Sequence, residues 1–386
     1  MAIRPNSSRN HTFQRDPHSS SHTSSYNQRN LAETVLQRLI DQRGRNTTFQ
    51  DFNTIKRLPF EQAFKYIEKN NFRIDNKIYH QLIRSIKKTD RVAIDYLNYF
   101  LQNTPTTIKG QCIKNSYFYN SIIGHGKKNI NFFPIAKKAF EEAKRNRFAN
   151  VVTYNGFIDA AGKNGEFREA KVAFEEAKRN RFANVVTYNG FINAAGKNGE
   201  FREAKVAFEE AKRNRFADVV TYKGFIDAAG KNGEFREAKV AFEEAKGNRL
   251  ADFVTYNIYI NVLYISGKKI RENLDLSKEI FTNYLLNYLL MRQKNKYQFD
   301  LHGLSHGAAR CFLNEYIIHK LYELKSLQII YGRASHNMAD NNIMRNLVLE
   351  WISNNEPLIE IETQTEGSIN IKLKDTKTVK RKRRDR

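Results

Sequence analysis

Residues 151–184, 185–218 and 219–252 are near copies of one 34-residue unit, which reads VVTYNGFIDAAGKNGEFREAKVAFEEAKRNRFAN at its first occurrence. The second copy departs from the first only at 193 and 218. A repeat of this length leaves few folds open, because each unit must be one supersecondary element that buries its apolar side against its neighbours. Within a unit, Tyr154, Phe157, Ile158 and Ala161 fall at helical spacing, and Gly162-Lys163-Asn164-Gly165 is expected to break the chain. Phe167, Ala170, Phe174 and Ala177 then form a second stripe, with Glu, Lys and Arg opposite. Neither helix covers its stripe alone. Stacked hairpins sharing one continuous core are predicted, an α-solenoid of helix-turn-helix repeats.

The array extends beyond these copies. Residues 116–150 align with one extra residue in the inter-helix turn, and residues 253–291 begin FVTYNIYINVL before diverging. From Asp75 the same helix, break, helix layout recurs more faintly, preceded by FEQAFKYIEKNNF. The divergent outer copies suit caps, which a solenoid needs where its core would be exposed. The expected organisation is a disordered tail (1–30), a helical region with degenerate repeats (31–114), the array (115–295), a small α/β domain (296–374) and a basic tail (375–386).

Composition narrows the class. With 40% hydrophobic and 12% aromatic residues in 386, there is enough apolar surface to exclude global disorder. Cys112 and Cys311 are the only two cysteines, too far apart in sequence for a disulfide framework or a cysteine zinc pattern, which suits an intracellular, cytoplasmic protein. The acid-poor, Arg- and Ser-rich start leaves an organelle as the alternative. No window approaches the ~18 apolar residues of a membrane span, since the best stretch, Phe281 to Met291, carries Asn283 and Asn287. The net charge is +24, yet residues 151–252 hold 18 Lys+Arg against 16 Asp+Glu. The excess lies in the flanks: residues 1–114 hold 19 against 9, and Lys372–Arg386 hold 9 against 2. Such flanks attract phosphate without reading sequence.

The run Val-Val-Thr-Tyr-Asn, Phe-Ile-Asp, Gly-Lys-Asn-Gly and Ala-Phe-Glu-Glu-Ala-Lys closely resembles the pentatricopeptide repeat and lacks the Trp-Leu-Gly-Tyr pattern of the tetratricopeptide repeat. The resemblance covers roughly residues 75–290 and is strong over 116–257. It implies an RNA-binding array in which two side chains per repeat read one base and another wedges between bases. The implied reading pairs are Asn120 with Asn150, Asn155 with Asn184, Asn189 with Asp218, and Lys223 with Asp252. The implied wedges are Tyr117, Val152, Val186, Val220 and Val254. Pyrimidines are the implied bases, and Lys223, which fits no usual pairing, is expected to meet phosphate. Asn and Asp at the 150, 184, 218 and 252 positions also suit plain helix N-caps.

Beyond residue 296 the pattern becomes strand, helix, strand, helix, strand, strand, which indicates a small α/β sandwich. Its start, FDLHGLSHGAARCFLNEYI, and the later IIYGRASHN resemble the two signature segments of the small MutS-related (Smr) domain. That resemblance implies nucleic-acid nicking or RNA endonucleolysis, with Asp300 and His302 on one side of a strand end and His336 as acid or second base. Gly332, Arg333, Ala334 and Ser335 form the implied phosphate loop, although Tyr331 stands for the usual Thr and Ala334 for the second Gly. A divalent cation such as Mg2+ or Mn2+ is a further implied cofactor. The expected function is pyrimidine-selective binding of single-stranded RNA with a C-terminal segment that cleaves or clamps it; the alternatives are a non-catalytic RNA binder and a protein-binding scaffold.

Overall fold

The structure, a computed structural model, describes residues 31–87, 93–127, 129–267, 270–293, 295–332 and 338–374, and for 338–342 the backbone only. The two expected tails and residues Arg333, Ala334, Ser335 and His336 lie outside these. The chain divides into two compact units, Met1–Phe182 and Ala183–Arg386.

The first unit is helical: α1 (31–41), α2 (Phe49–Arg57), α3 (Phe60–Lys69), α4 (Asn76–Ser85), α5 (Ala93–Asn103), a two-residue antiparallel pair β1 (Thr107–Ile108) and β2 (Gln111–Cys112), then α6 (Ser116–Gly126), α7 (Phe133–Arg145), α8 (Val151–Lys163) and α9 (Phe167–Arg179). A 3-10 turn, Ile130–Phe132, leads into α7, which is how the longer copy accommodates its extra residue. The core is aromatic. Phe140 stacks on Phe157 at 4.1 Å and meets Tyr154 edge-on at 5.2 Å, joining the second helix of one hairpin to the first helix of the next. Rings of this size each remove 150–250 Å² from water, worth roughly 2–3 kcal/mol, and this is what holds successive hairpins together.

The second unit continues with α10 (Val185–Lys197), α11 (Phe201–Arg213), α12 (Val219–Lys231), α13 (Phe235–Gly247), α14 (Phe253–Gly267) and α15 (Arg271–Ile280). The same stack recurs as Phe208 on Phe225 at 4.1 Å and Phe242 on Tyr259 at 4.0 Å. A single π turn, Phe281–Leu285, joins α15 to α16 (Leu286–Met291). Then follow β3 (Gln298–Asp300), α17 (His306–Phe312), a π turn at Leu313–Ile317, α18 (Ile318–Leu324), β4 (Ser326–Ile330), α19 (Met338–Asn354), β5 (Ile359–Gln364) and β6 (Ser368–Leu373). The strands lie in the order β3-β4-β6-β5, with β3 parallel to β4 and the other pairs antiparallel. The elements expected after residue 296 are all present.

The expected break at Gly162-Lys163-Asn164-Gly165 is present and falls in its second half: α8, α10 and α12 run through to Lys163, Lys197 and Lys231, and Gly162, Gly196 and Gly230 are buried inside them. The break comes at Gly165 and its equivalents, whose φ near +80° favours glycine. The earlier glycine serves packing instead. A Cβ on Gly196 would lie 2.3 Å from the Ala228 Cβ, so α10 and α12 meet at a distance no side chain allows.

The polar faces are also more ordered than a solvated surface requires. Tyr154 donates to Glu176 at 2.9 Å and accepts from Asn180 at 3.1 Å, while Lys144 reaches the same Glu176 from the preceding hairpin at 3.0 Å. Burial first, then the Glu176 carboxylate, pushes the Tyr154 phenol up to about 12. In the second unit Tyr188, Tyr222 and Lys212 repeat the pattern against Glu210 and Glu244.

Candidate nucleic-acid interface

Each first helix begins at a side-chain cap. The Asn150 carbonyl oxygen accepts from the Val152 and Thr153 amides at 3.0 and 3.1 Å, and the Thr153 hydroxyl accepts in return from the Asn150 amide at 3.2 Å. Asn184, Asp218 and Asp252 cap α10, α12 and α14 through Thr187, Thr221 and Thr255 in the same way. The last member of each implied reading pair is therefore a working N-cap, which satisfies orphan amides of the first turn.

From the cap the helix turns Thr153 and Tyr154 inward, which leaves the residue just before them outward. The five implied wedges are accordingly exposed: Tyr117 64%, Val152 58%, Val186 56%, Val220 47% and Val254 44%. One turn later in the sequence stand the implied reading residues. The Asn120 and Asn155 side-chain oxygens are enclosed yet accept no hydrogen bond, an arrangement that costs about 1–3 kcal/mol until a donor arrives. Asn189 is tied instead, donating to Asp218 at 3.3 Å and accepting from the Thr221 hydroxyl at 2.6 Å.

Lys223 corrects its expectation. It forms an ion pair with Asp252 at 2.6 Å and is largely buried, so the fourth pair neutralises itself rather than offering a free cation to phosphate. The Asp252 carboxyl is held below its ordinary range: burial alone would raise it, but Lys223 and the Thr255 donors outweigh burial. Asp218 is lowered likewise, its burial offset by Thr221 and Asn189. A lowered carboxylate stabilises the fold at neutral pH and loses that contribution as pH falls below the ordinary value near 3.9 toward the folded one. We therefore expect the wild-type melting temperature to fall between pH 4.5 and 2.5 more steeply than that of Asp218→Asn/Asp252→Asn, measured by circular dichroism. Parallel curves would sink this assignment.

The same helix face carries residues that sequence reasoning left unassigned. Asp159 bonds Lys127 at 3.1 Å and Lys163 at 3.0 Å, and Asp227 pairs with Lys231. Their equivalent Asn193 approaches Gly224 on the next first helix. Variation at 159 and 193 was the available signal.

In the C-terminal segment, Asp300 ends β3 and its carboxylate accepts from the His302 amide at 2.8 Å and contacts the His302 Nδ1. Both side chains are exposed and line a cleft of about 350 Å³ with Arg292 and Gln293. His302 Nε2 lies over Gly332, where a Cβ would come within 2.5 Å of it, so Gly332 gives the imidazole its seat. The Gly332 amide is not open to phosphate, contrary to expectation, because it donates to the Gly367 carbonyl at 3.0 Å. Tyr331, the departure from the Smr pattern, is buried and pins the β5–β6 turn through Thr365 and Ser368. Among the described residues no group of three or more His, Cys, Asp and Glu side chains converges on one point. Among the described residues, Asp300 supplies one carboxylate and His302 one imidazole at this point.

His80 and His125 are buried packing residues, each against a backbone carbonyl; burial takes the His80 imidazole down to about 4. Among the described residues no helix is long and apolar enough to cross a membrane.

Three segments, 152–182, 186–216 and 220–250, match the family model of the PPR repeat, and the chain thus contains three PPR repeats. No curated protein matches the chain. Among solved structures it is similar to the pentatricopeptide repeat protein PPR10 in complex with an 18-nt psaJ RNA element, at 15% identity and a TM-score of 0.51, over 86% of this chain. It also resembles PPR10 from maize at 17% identity and a TM-score of 0.45, over 76% of this chain. The chain spans 43% and 42% of those two structures. At these identities the first likeness shows a helical-repeat solenoid fold.

Proposed function

We propose that the repeats bind single-stranded RNA one nucleotide per hairpin, reading pyrimidines through the Asn and Asp pairs, and that the Asp300–His302 segment cleaves the bound strand. The observation that carries the first part is twofold: Val152, Val186, Val220 and Val254 are half-exposed at first-helix starts, and the side-chain acceptors of Asn120 and Asn155 are enclosed and unpartnered. A base stacks on an apolar wedge regardless of identity, and a donor on its pairing edge, the uracil ring N–H or the cytosine amino group, supplies what the enclosed acceptor lacks. The likeness to PPR10, crystallised with an RNA element, supports the same reading.

The cleavage reading rests on the Smr-like segments and on Asp300–His302. With Nδ1 engaged by Asp300, the imidazole keeps Nε2 as its basic nitrogen. A ribose 2′ hydroxyl gives its proton to Nε2 as its oxygen attacks the adjacent phosphorus. The P–O5′ bond then breaks, leaving a 2′,3′-cyclic phosphate and a 5′ hydroxyl that takes its proton from water. In functional terms the chain divides into an N-terminal helical region (31–114), a reading array (115–295) and an α/β segment (296–374).

The full-length protein should bind a fluorescent oligopyrimidine about 10- to 100-fold more tightly than an oligopurine at low salt, the yield of ~1–3 kcal/mol per read base shared among few repeats. Asp300→Ala/His302→Ala should bind the same RNA equally and cleave it about 100-fold more slowly. Equal affinity for both oligonucleotides would overturn the reading array; undiminished cleavage by the double variant would overturn the assignment of the site.

A further inference from the structure

The fifth hairpin breaks the reading pattern in a specific way. Asn257 of α14 stands where Asn155, Asn189 and Lys223 stand in their repeats, but it is 7% exposed and fully engaged. Its Nδ2 donates to the Gly303 carbonyl at 2.8 Å, its Oδ1 accepts from the Ser305 amide at 2.8 Å, and its backbone carbonyl accepts from the Ser305 hydroxyl at 2.8 Å. Gly307 reinforces the mooring, since a Cβ there would lie 2.7 Å from the Tyr264 Cβ on α14. The turn that carries Asp300 and His302 is thus held at the position where a fifth base would be read.

The ring at the hairpin's start is also diverted. Tyr154, Tyr188 and Tyr222 each donate to a glutamate 22 residues on, but Tyr256 has Lys278 there and stacks on Tyr284 at 4.5 Å. Phe253 lies 4.2 Å from Tyr288, over which Arg292 sits at 5.6 Å. Tyr284 and Tyr288 are 47% and 41% exposed, and Tyr284 belongs to the π turn, a device common at functional sites. Aromatic faces beside a cation are the elements of a sequence-tolerant stacking site for single-stranded nucleic acid. Arg292 lines the same cleft as Asp300 and His302.

We infer that reading stops at the Lys223–Asp252 pair and that the next nucleotide enters a non-reading site, with its base on Tyr284 or Tyr288 and its phosphate between Arg292 and the Asp300–His302 turn. This rests on the RNA-binding reading and adds a register to it. The occupant is RNA because the patch adjoins Val254 and Asp252, the end of the proposed reading face. The site tolerates any base, since the residue that would discriminate, Asn257, is spent on the turn.

Single 4-thiouridines placed in turn along a bound oligonucleotide, crosslinked to the full-length protein and mapped by mass spectrometry, test the register. The position next to the one that crosslinks to peptide 219–231 should crosslink within 284–303, and changing that base should alter affinity less than threefold. Tyr284→Ala/Tyr288→Ala should weaken binding about tenfold and lose this crosslink, whereas Tyr284→Phe/Tyr288→Phe, which keeps the faces and controls for folding, should retain both. If RNA binds but the 284–303 crosslinks are absent or fall several nucleotides away, the register is wrong and the array reading survives. If no RNA binds, or only a protein partner is captured, both fall.

Discussion

Replacing Gly196 by valine is expected to cost the protein more than 3 kcal/mol and to lower its melting temperature by about 6–12 °C, a cost at or beyond the upper end of usual overpacking. Even a Cβ at this position would lie 2.3 Å from the Ala228 Cβ and 2.9 Å from its Cα, and the Cα is backbone that cannot swing aside. Helices α10 and α12 would have to part, and the Phe208–Phe225 stack in the same layer would lose its fit. Gly199→Ala is the control. That residue sits three positions later at φ +79°, and its replacement should cost only about 1 kcal/mol through backbone strain. Urea unfolding of the two variants separates the explanations, and a Gly196→Val curve coincident with wild type would refute the close-approach argument.

Val186→Asp/Val220→Asp is expected to weaken RNA binding by at least about 100-fold while leaving stability within about 1 kcal/mol. The two valines are 56% and 47% exposed, so little core area is lost on replacement. Their proposed contribution is a stacking surface of ~1–3 kcal/mol per base, and a carboxylate adds repulsion against phosphate. Val186→Thr/Val220→Thr keeps the shape without the charge and should weaken binding only about fivefold. Fluorescence polarisation beside a thermal melt reads both quantities, and an affinity within twofold of wild type in the aspartate variant would remove the wedge assignment.

The hairpins were legible because their cause is local. Tyr154, Phe157, Ile158 and Ala161 repeat at helical spacing, and no other secondary structure gathers them on one side. The caps at Asn150 and Asp218 were legible for the same reason, since N-cap chemistry lies within three residues of chain. The outward direction of the five wedges follows from that cap, and the structure places all five on the surface. What escaped was non-local. The buried Gly196 and Gly230 answer to a helix 32 residues further on, a contact that spacing within one hairpin does not record. Lys223 looked free until Asp252, 29 residues away, claimed it. Gly332 opens the implied phosphate loop, but its amide is already taken by the Gly367 carbonyl, 35 residues on.

By itself, then, the sequence determined the hairpin as the unit, its period and which residues line its two faces, because these follow from spacing within a turn or two of helix. Only the tertiary structure decided which of the equivalent asparagines keeps its side chain available. Asn257 has the same four residues of context, Val-Thr-Tyr-Asn, as Asn155, yet it is buried under Gly303 and Ser305 rather than presented to a base. A side chain's chemistry is set locally, but whether its hydrogen bonds remain available depends on what the rest of the chain brings against it.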